Sequence, residues 1–87
     1  MKDDVITLNG NVKCYVLDEL NYKEKRYIFC VQIDENDEMI ENSTSVFEVL
    51  IKDDKLITKA VEDFEVASVV NNLFMARMCH LFMIILY

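Results

Sequence analysis

Arg26 to Ile33, RYIFCVQI, constrains the fold more than any other stretch of the chain. On an extended backbone Tyr27, Phe29, Val31 and Ile33 fall on one side, and Ile28, Cys30 and Gln32 on the other. A strand with apolar side chains on both sides must be packed on both, so it belongs in the middle of a sheet. Tyr27 and Phe29, the bulkiest of the set, are expected to face the principal core.

The segments around this strand supply its neighbours. Val5 to Leu8 is a short β-prone run, and Asn9-Gly10 after it is a pair favoured in type I′ hairpin turns. Val12 to Tyr22 reads as a long strand on which Val12, Cys14, Val16 and Leu20 share a face while the strand stays regular. Asp18 interrupts that face, which points to a bulge or bend near Leu17–Asp18. Lys23-Glu24 forms a polar turn. Beyond Ile33, residues 34–45 form a polar loop interrupted by Met39-Ile40, and Ser45 to Lys52 returns as a strand. Asp53-Asp54 is a tight turn, and Lys55 to Val61 is a last short strand.

The period then changes. Val66, Val69, Val70, Leu73, Phe74 and Arg77/Met78 recur at helical spacing. Glu62 or Asp63 can cap the helix, and the carboxylates of Glu62, Asp63 and Glu65 suit its positive end. The expected architecture is a single α+β domain over residues 1–87. It is an antiparallel four- to five-stranded meander with a C-terminal helix packed on one face. The strands span about 4–61, the helix about 63–78, and an apolar tail 79–87.

That tail, within MCHLFMIILY, has no polar side chain after His80, and its last seven residues are all apolar. Left in water it would favour aggregation, so something must cover it. Packing on the domain itself, burial in a homodimer or other partner, and a membrane span are the three readings. Val66 to Tyr87 is long enough to cross a bilayer, but it carries Asn71, Asn72, Arg77 and His80, and a central Arg costs roughly 2.5–3.5 kcal/mol on insertion. The membrane reading is the least favoured.

Composition limits the rest. Sixteen acidic residues against nine basic ones give a net charge of −7, which argues against direct binding to nucleic acid or an anionic membrane. The first ten residues lack an apolar signal core, and three widely spaced cysteines form no CxxC pair. Free thiols in a reducing cytoplasm are expected.

Candidate chemistry is sparse. Asp34-x-Asn36-x-Glu38 begins like a calcium loop, but Met39 stands where Gly is required and Ser45 where Glu is required. Asp34, Glu35, Asp37, Glu38 and Glu41 read instead as an acidic surface. His80 lies beside Cys79, and adjacent side chains diverge on a helix or strand, so the two make a poor dyad. Asp18 and Glu19 read as strand-bend residues rather than an acid–base pair. Tyr15, Tyr22, Tyr27 and Phe29 could stack bases only in a basic setting, which this chain lacks. No catalytic residue, metal ligand or cofactor is expected.

Six segments resemble a known family. They are Ile6-Thr7-Leu8, Tyr15-Val16-Leu17-Asp18-Glu19-Leu20, Lys25-Arg26-Tyr27-Ile28, Ile33-Asp34-Glu35-Asn36-Asp37-Glu38, Val46-Phe47-Glu48-Val49 and Ala60-Val61-Glu62-Asp63. Their order is similar to that of the YrzB-like family of short acidic bacterial proteins, domain-of-unknown-function family 1292, over roughly residues 5 to 75. The resemblance implies the same α+β fold and a cytoplasmic setting, and it assigns no activity. The chain departs from the family pattern in its apolar end and in a less acidic loop after Ile33.

These readings converge on a small acidic, non-enzymatic interaction or regulatory protein. Its expected contact is a protein partner or a second copy, held through Leu81, Phe82, Ile84, Ile85, Leu86 and Tyr87. Two alternatives keep the same chemistry. One is a phage-type inhibitor, such as an anti-CRISPR, acting by protein binding or nucleic-acid mimicry. The other is an antitoxin-like partner using the apolar end.

Overall fold

The computed structural model describes residues 2–8 and 10–86, and their side chains as far as Arg77. Five strands, β1 (Val5–Leu8), β2 (Val12–Tyr22), β3 (Lys25–Gln32), β4 (Ser45–Lys52) and β5 (Lys55–Ala60), precede one helix, α1 (Phe64–Leu86). The sheet is an antiparallel meander in the order β1-β2-β3-β4-β5, so the chain is α+β. β3 is the central strand, as its two apolar sides require. Five of its eight residues, Tyr27 to Val31, are buried.

The turns follow from the strand registers. Tyr22 pairs with Lys25 and Lys52 with Lys55, leaving two-residue turns at Lys23-Glu24 and Asp53-Asp54. All four turn residues have positive φ, between 50° and 66°, which is the type I′ backbone that matches strand twist. The first hairpin differs from expectation. Leu8 pairs with Val12, and the positive φ values fall on Gly10 and Asn11. The left-handed pair is thus one residue later than the Asn9-Gly10 pair that the sequence suggests, and Asn9 lies outside the described residues.

β2 contains the bulge. Val16 pairs with Cys30 and Asp18 with Phe29, so Leu17 is an extra residue between them. An extra residue reverses which side chains point to which face. Before the bulge, Cys14 and Val16 join Ile28, Cys30 and Val49 in one buried cluster, sealed by Ile6, Leu8, Val12 and Phe47. After it, Leu20 belongs to the opposite cluster with Tyr27, Phe29, Val70 and Phe74. The regular face that would hold Val12, Cys14, Val16 and Leu20 together is therefore split, with the break where Asp18 suggests it.

Asp63 starts the helix. Its Oδ1 accepts hydrogen bonds from the backbone N–H groups of Glu65 at 2.9 Å and Val66 at 3.2 Å. Val70 and Phe74, one turn apart, are fully buried against the sheet, and the Phe74 ring stacks on Phe29 with centroids 5.4 Å apart. α1 does not yield to a tail at 78. Its backbone stays helical to Leu86, 23 residues in all, or about 34 Å.

Candidate functional site

Two regions hold the residues singled out from the sequence. The first is the β3–β4 loop. Ile33 and Met39 form a β-bridge, and the Ile40 N–H donates to the Gln32 carbonyl at 2.9 Å. Between them the chain makes a tight reversal. Asp34 Oδ1 accepts the N–H of Asn36 at 2.8 Å and of Glu38 at 3.0 Å, the usual Asx-turn role. Ser43 closes the loop: its Oγ donates to the Ile40 carbonyl at 2.6 Å and accepts the Gln32 N–H at 3.0 Å. Asp34, Glu35, Asp37, Glu38 and Glu41 are all exposed. They share one ordered loop, with Met39 and Ile40 exposed among them.

The second region is the C-terminal part of α1. Leu81, Phe82, Ile84, Ile85 and Leu86 lie on helical backbone, but their side chains, with those of Cys79 and His80, lie outside the described residues, as does Tyr87. Among the described residues no helix is long and apolar enough to cross a membrane.

Just before this segment sits an anchor that sequence reasoning missed. Arg77 Nη1 donates to Asp18 Oδ2 at 3.1 Å and to the Glu19 carbonyl at 3.0 Å. The bulge makes this contact feasible, because it brings Asp18 onto the helix face opposite Phe29. Glu19 turns to the other face, where Arg26 donates to its Oε2 through Nε at 2.9 Å and Nη2 at 2.7 Å. That hydrogen-bonded guanidinium holds the Glu19 carboxyl below its ordinary pKa. Asp18 and Glu19 thus occupy opposite faces, each beside its own cation.

The aromatic residues do not form a platform. Tyr27 and Phe29 are buried. The Tyr15 hydroxyl donates to Asp3 Oδ1 at 2.6 Å, and Lys23 Nζ lies 5.5 Å from the centroid of the Tyr22 ring. The Tyr15 hydroxyl titrates above its usual range because its proton is held by Asp3. Burial raises the Tyr27 hydroxyl, with the nearby Glu48 charge adding to it. Glu48 itself is a buried carboxylate, 3.3 Å from Lys25 Nζ. The sequence carried one signal for it: period two puts Glu48 on the face of its strand away from Phe47 and Val49, and the register then sets it opposite Tyr27.

Cys14 and Cys30 are free, buried and in the same cluster. Burial pushes the Cys14 thiol up, and the Cys30 thiol up to about 12. Both are held in the protonated, unreactive form. A groove of about 630 Å³ runs between the start of α1 and the strands, bordered by Phe47, Ala60, Phe64, Ala67 and Asn71. Among the described residues no group of three or more His, Cys, Asp or Glu side chains is placed to hold a metal ion.

No curated relative and no solved structure matches the chain. A family profile does match, described as a protein of unknown function (DUF1292), over residues 9–78. The match takes in β2 to β5 and α1 as far as the residue after Arg77. With most of its length covered, the chain belongs to this family of proteins of unknown function, DUF1292.

Proposed function

We propose that the protein is a small, non-enzymatic interaction module that grips a protein partner through the C-terminal part of α1. One observation carries the reading. β1 pairs with β2 only as far as Tyr15, and just before β1 the backbone of Asp3 and Asp4 meets the Val16 carbonyl and N–H. At Asp18 and Glu19, where Arg77 docks, β2 is thus the edge of the sheet among the described residues. α1 continues to Leu86, nine residues past this anchor, and that stretch of sequence is almost wholly apolar. An apolar helix leaving a sheet edge has more to gain from a partner's groove than from water.

The carboxylates lend less to nucleic-acid mimicry. Asp18, Glu19 and Glu48 face cations within their own fold, and Asp34 is engaged by backbone N–H groups.

The test compares the full chain with one ending at Arg77, both immobilised and washed in high salt after exposure to a cell lysate. A discrete protein held by the full chain and lost from a folded truncation is the expected result. A truncation that unfolds would place the segment in the core, and equal retention by both would move the contact elsewhere. Either outcome removes the reading.

A further inference from the structure

Glu48 is the one buried charged side chain among the described residues, and it stands in a row across three strands. β3 sets Tyr27 opposite it, and β5 sets Lys59 opposite it on the other side. Next to this row the chain leaves β5 and passes through Glu62 and Asp63 into α1. These elements border a pocket of about 210 Å³. Lys25, Lys59, Glu48, Glu62 and Asp63 supply its charges, and Val61 and Val66 part of its apolar wall.

Two oxygens in this pocket are left open. Tyr27 is 2% exposed and Glu48 7%. Among the described residues the Tyr27 hydroxyl makes no hydrogen bond, and Glu48 meets only Lys25 Nζ, 3.3 Å from Oε1. No described side-chain nitrogen or oxygen that is sealed from solvent lacks a partner. The Tyr27 hydroxyl and Glu48 Oε2 therefore open onto the pocket that both residues line.

The charges around these oxygens favour a cation. Three carboxylates face two ammonium groups. Both lysines are exposed and can turn to water, whereas Glu48 is held within the sheet. A phosphate or carboxylate would be driven against that buried charge. A second ammonium, compact and strongly hydrated, would only repeat the contact Lys25 already makes. A guanidinium carries five N–H donors in a planar fork and gives up water more readily. It can therefore serve Glu48 Oε2 and the Tyr27 oxygen together, since the two residues sit directly opposite on neighbouring strands, with Cβ atoms about 5 Å apart.

We propose that this pocket binds a guanidinium group, with Glu48 as its counter-ion, the Tyr27 hydroxyl as a second acceptor, and Lys25 as the cation it displaces. A free alkylguanidine and an arginine side chain of a protein share this chemistry. The site lies at the start of α1 and does not depend on what the C-terminal part of that helix contacts.

Amide NMR shifts of the full chain, titrated with ethylguanidinium at constant ionic strength, test this. Saturable shifts confined to residues around Tyr27, Glu48 and 61–66 are expected. Ethylammonium should bind about fivefold more weakly, and methyl phosphate should give no saturable shift there. Glu48→Gln should weaken ethylguanidinium binding about tenfold or more, and Tyr27→Phe by about threefold to tenfold. Lys25→Met should tighten it about threefold, because the competing cation is gone. That opposite sign separates a cation pocket from an anion pocket, and Lys25 is exposed enough for the variant to fold. A capped Gly-Arg-Gly peptide that binds as tightly as ethylguanidinium points to a protein's arginine as the source. A peptide that is shut out while ethylguanidinium binds points to a free guanidine, and both results support the proposal. Shifts that never saturate or that spread over the acidic loop overturn it. So do equal binding of ethylammonium, saturable binding of methyl phosphate in the pocket, a folded Glu48→Gln that binds as before, or weaker binding by Lys25→Met.

Discussion

Arg77 and Asp18 meet at 3.1 Å across 59 residues of sequence, joining the helix to the strand bulge. The Arg77 side chain is about half exposed and that of Asp18 is mostly covered. Solvent weakens such a pair, so its coupling in a double-mutant cycle of Arg77→Ala and Asp18→Asn should be about 0.2–1 kcal/mol. Arg77→Ala should also loosen the helix locally. Amide exchange at α1 residues after Phe74 should speed up more than exchange around Val70. Equal protection in both proteins would show that the pair does not anchor the helix.

The Phe29–Phe74 stack is the larger contribution. Phe74 is completely buried between the helix and β3, so Phe74→Ala should cost about 3–5 kcal/mol. That is enough to leave a domain of this size partly unfolded at ambient temperature. Phe74→Leu keeps most of the volume and should remain folded with a lower urea midpoint. If Phe74→Ala matched the unaltered protein in urea, the helix would not be part of the cooperative unit.

Stability can be gained at the β2–β3 turn. Glu24 has φ of 66°, a left-handed conformation that costs a side-chain-bearing residue roughly 1–2 kcal/mol. Glu24→Gly should raise stability by about 0.5–1 kcal/mol, because the turn geometry is native to glycine. Asp54, with φ of 62°, should gain less from the same change, since Asp tolerates this region. Urea unfolding of the two variants checks the order.

Alkali should unfold the protein through its thiols. Cys30 titrates at about 12 in the fold, against about 8.5 in an unfolded chain. The unfolded state therefore releases this proton first. The stability linked to Cys30 is complete below about pH 8.5 and is lost as pH rises toward the folded value, at up to about 1.4 kcal/mol per pH unit. Cys14, also raised, adds to the slope. The double variant Cys14→Ala/Cys30→Ala should flatten the decline between about pH 8.5 and 10, despite a lower starting stability. A slope unchanged in the variant would assign the alkaline loss to other groups.

The strands, their order and two of the turns were legible because they depend on local alternation and on short polar pairs such as Asp53-Asp54. Asp63 as the helix cap was legible for the same reason. The position of the bulge could be read because Asp18 would otherwise sit beside Cys14 and Val16 in an apolar cluster. Its result could not. That Asp18 would find Arg77, and Glu19 would find Arg26, depends on register and on the path of the helix across the sheet. That residues 50–57 of β4 and β5 run past β3 was equally hidden, since nothing within β4 or β5 shows where β3 begins. The acidic loop was visible as composition, but its closure by Asp34 and Ser43 needed the backbone.

Leu17 gives β2 something like a change of reading frame. Up to Val16 the even-numbered side chains serve one core, and from Asp18 onward they serve the other. Removing a residue between Val16 and Leu20 would restore a regular strand, yet it would put half of β2 out of phase with its neighbours. Either Leu20 would leave the Phe29–Phe74 stack, or Cys14 and Val16 would leave the cluster around Ile28. Substitutions can be absorbed there one side chain at a time, whereas a change of length cannot. The spacing from Val16 to Leu20 thus acts as a ruler for both cores, and a gain or loss of one residue there is the smallest edit that would leave the chain unable to complete both.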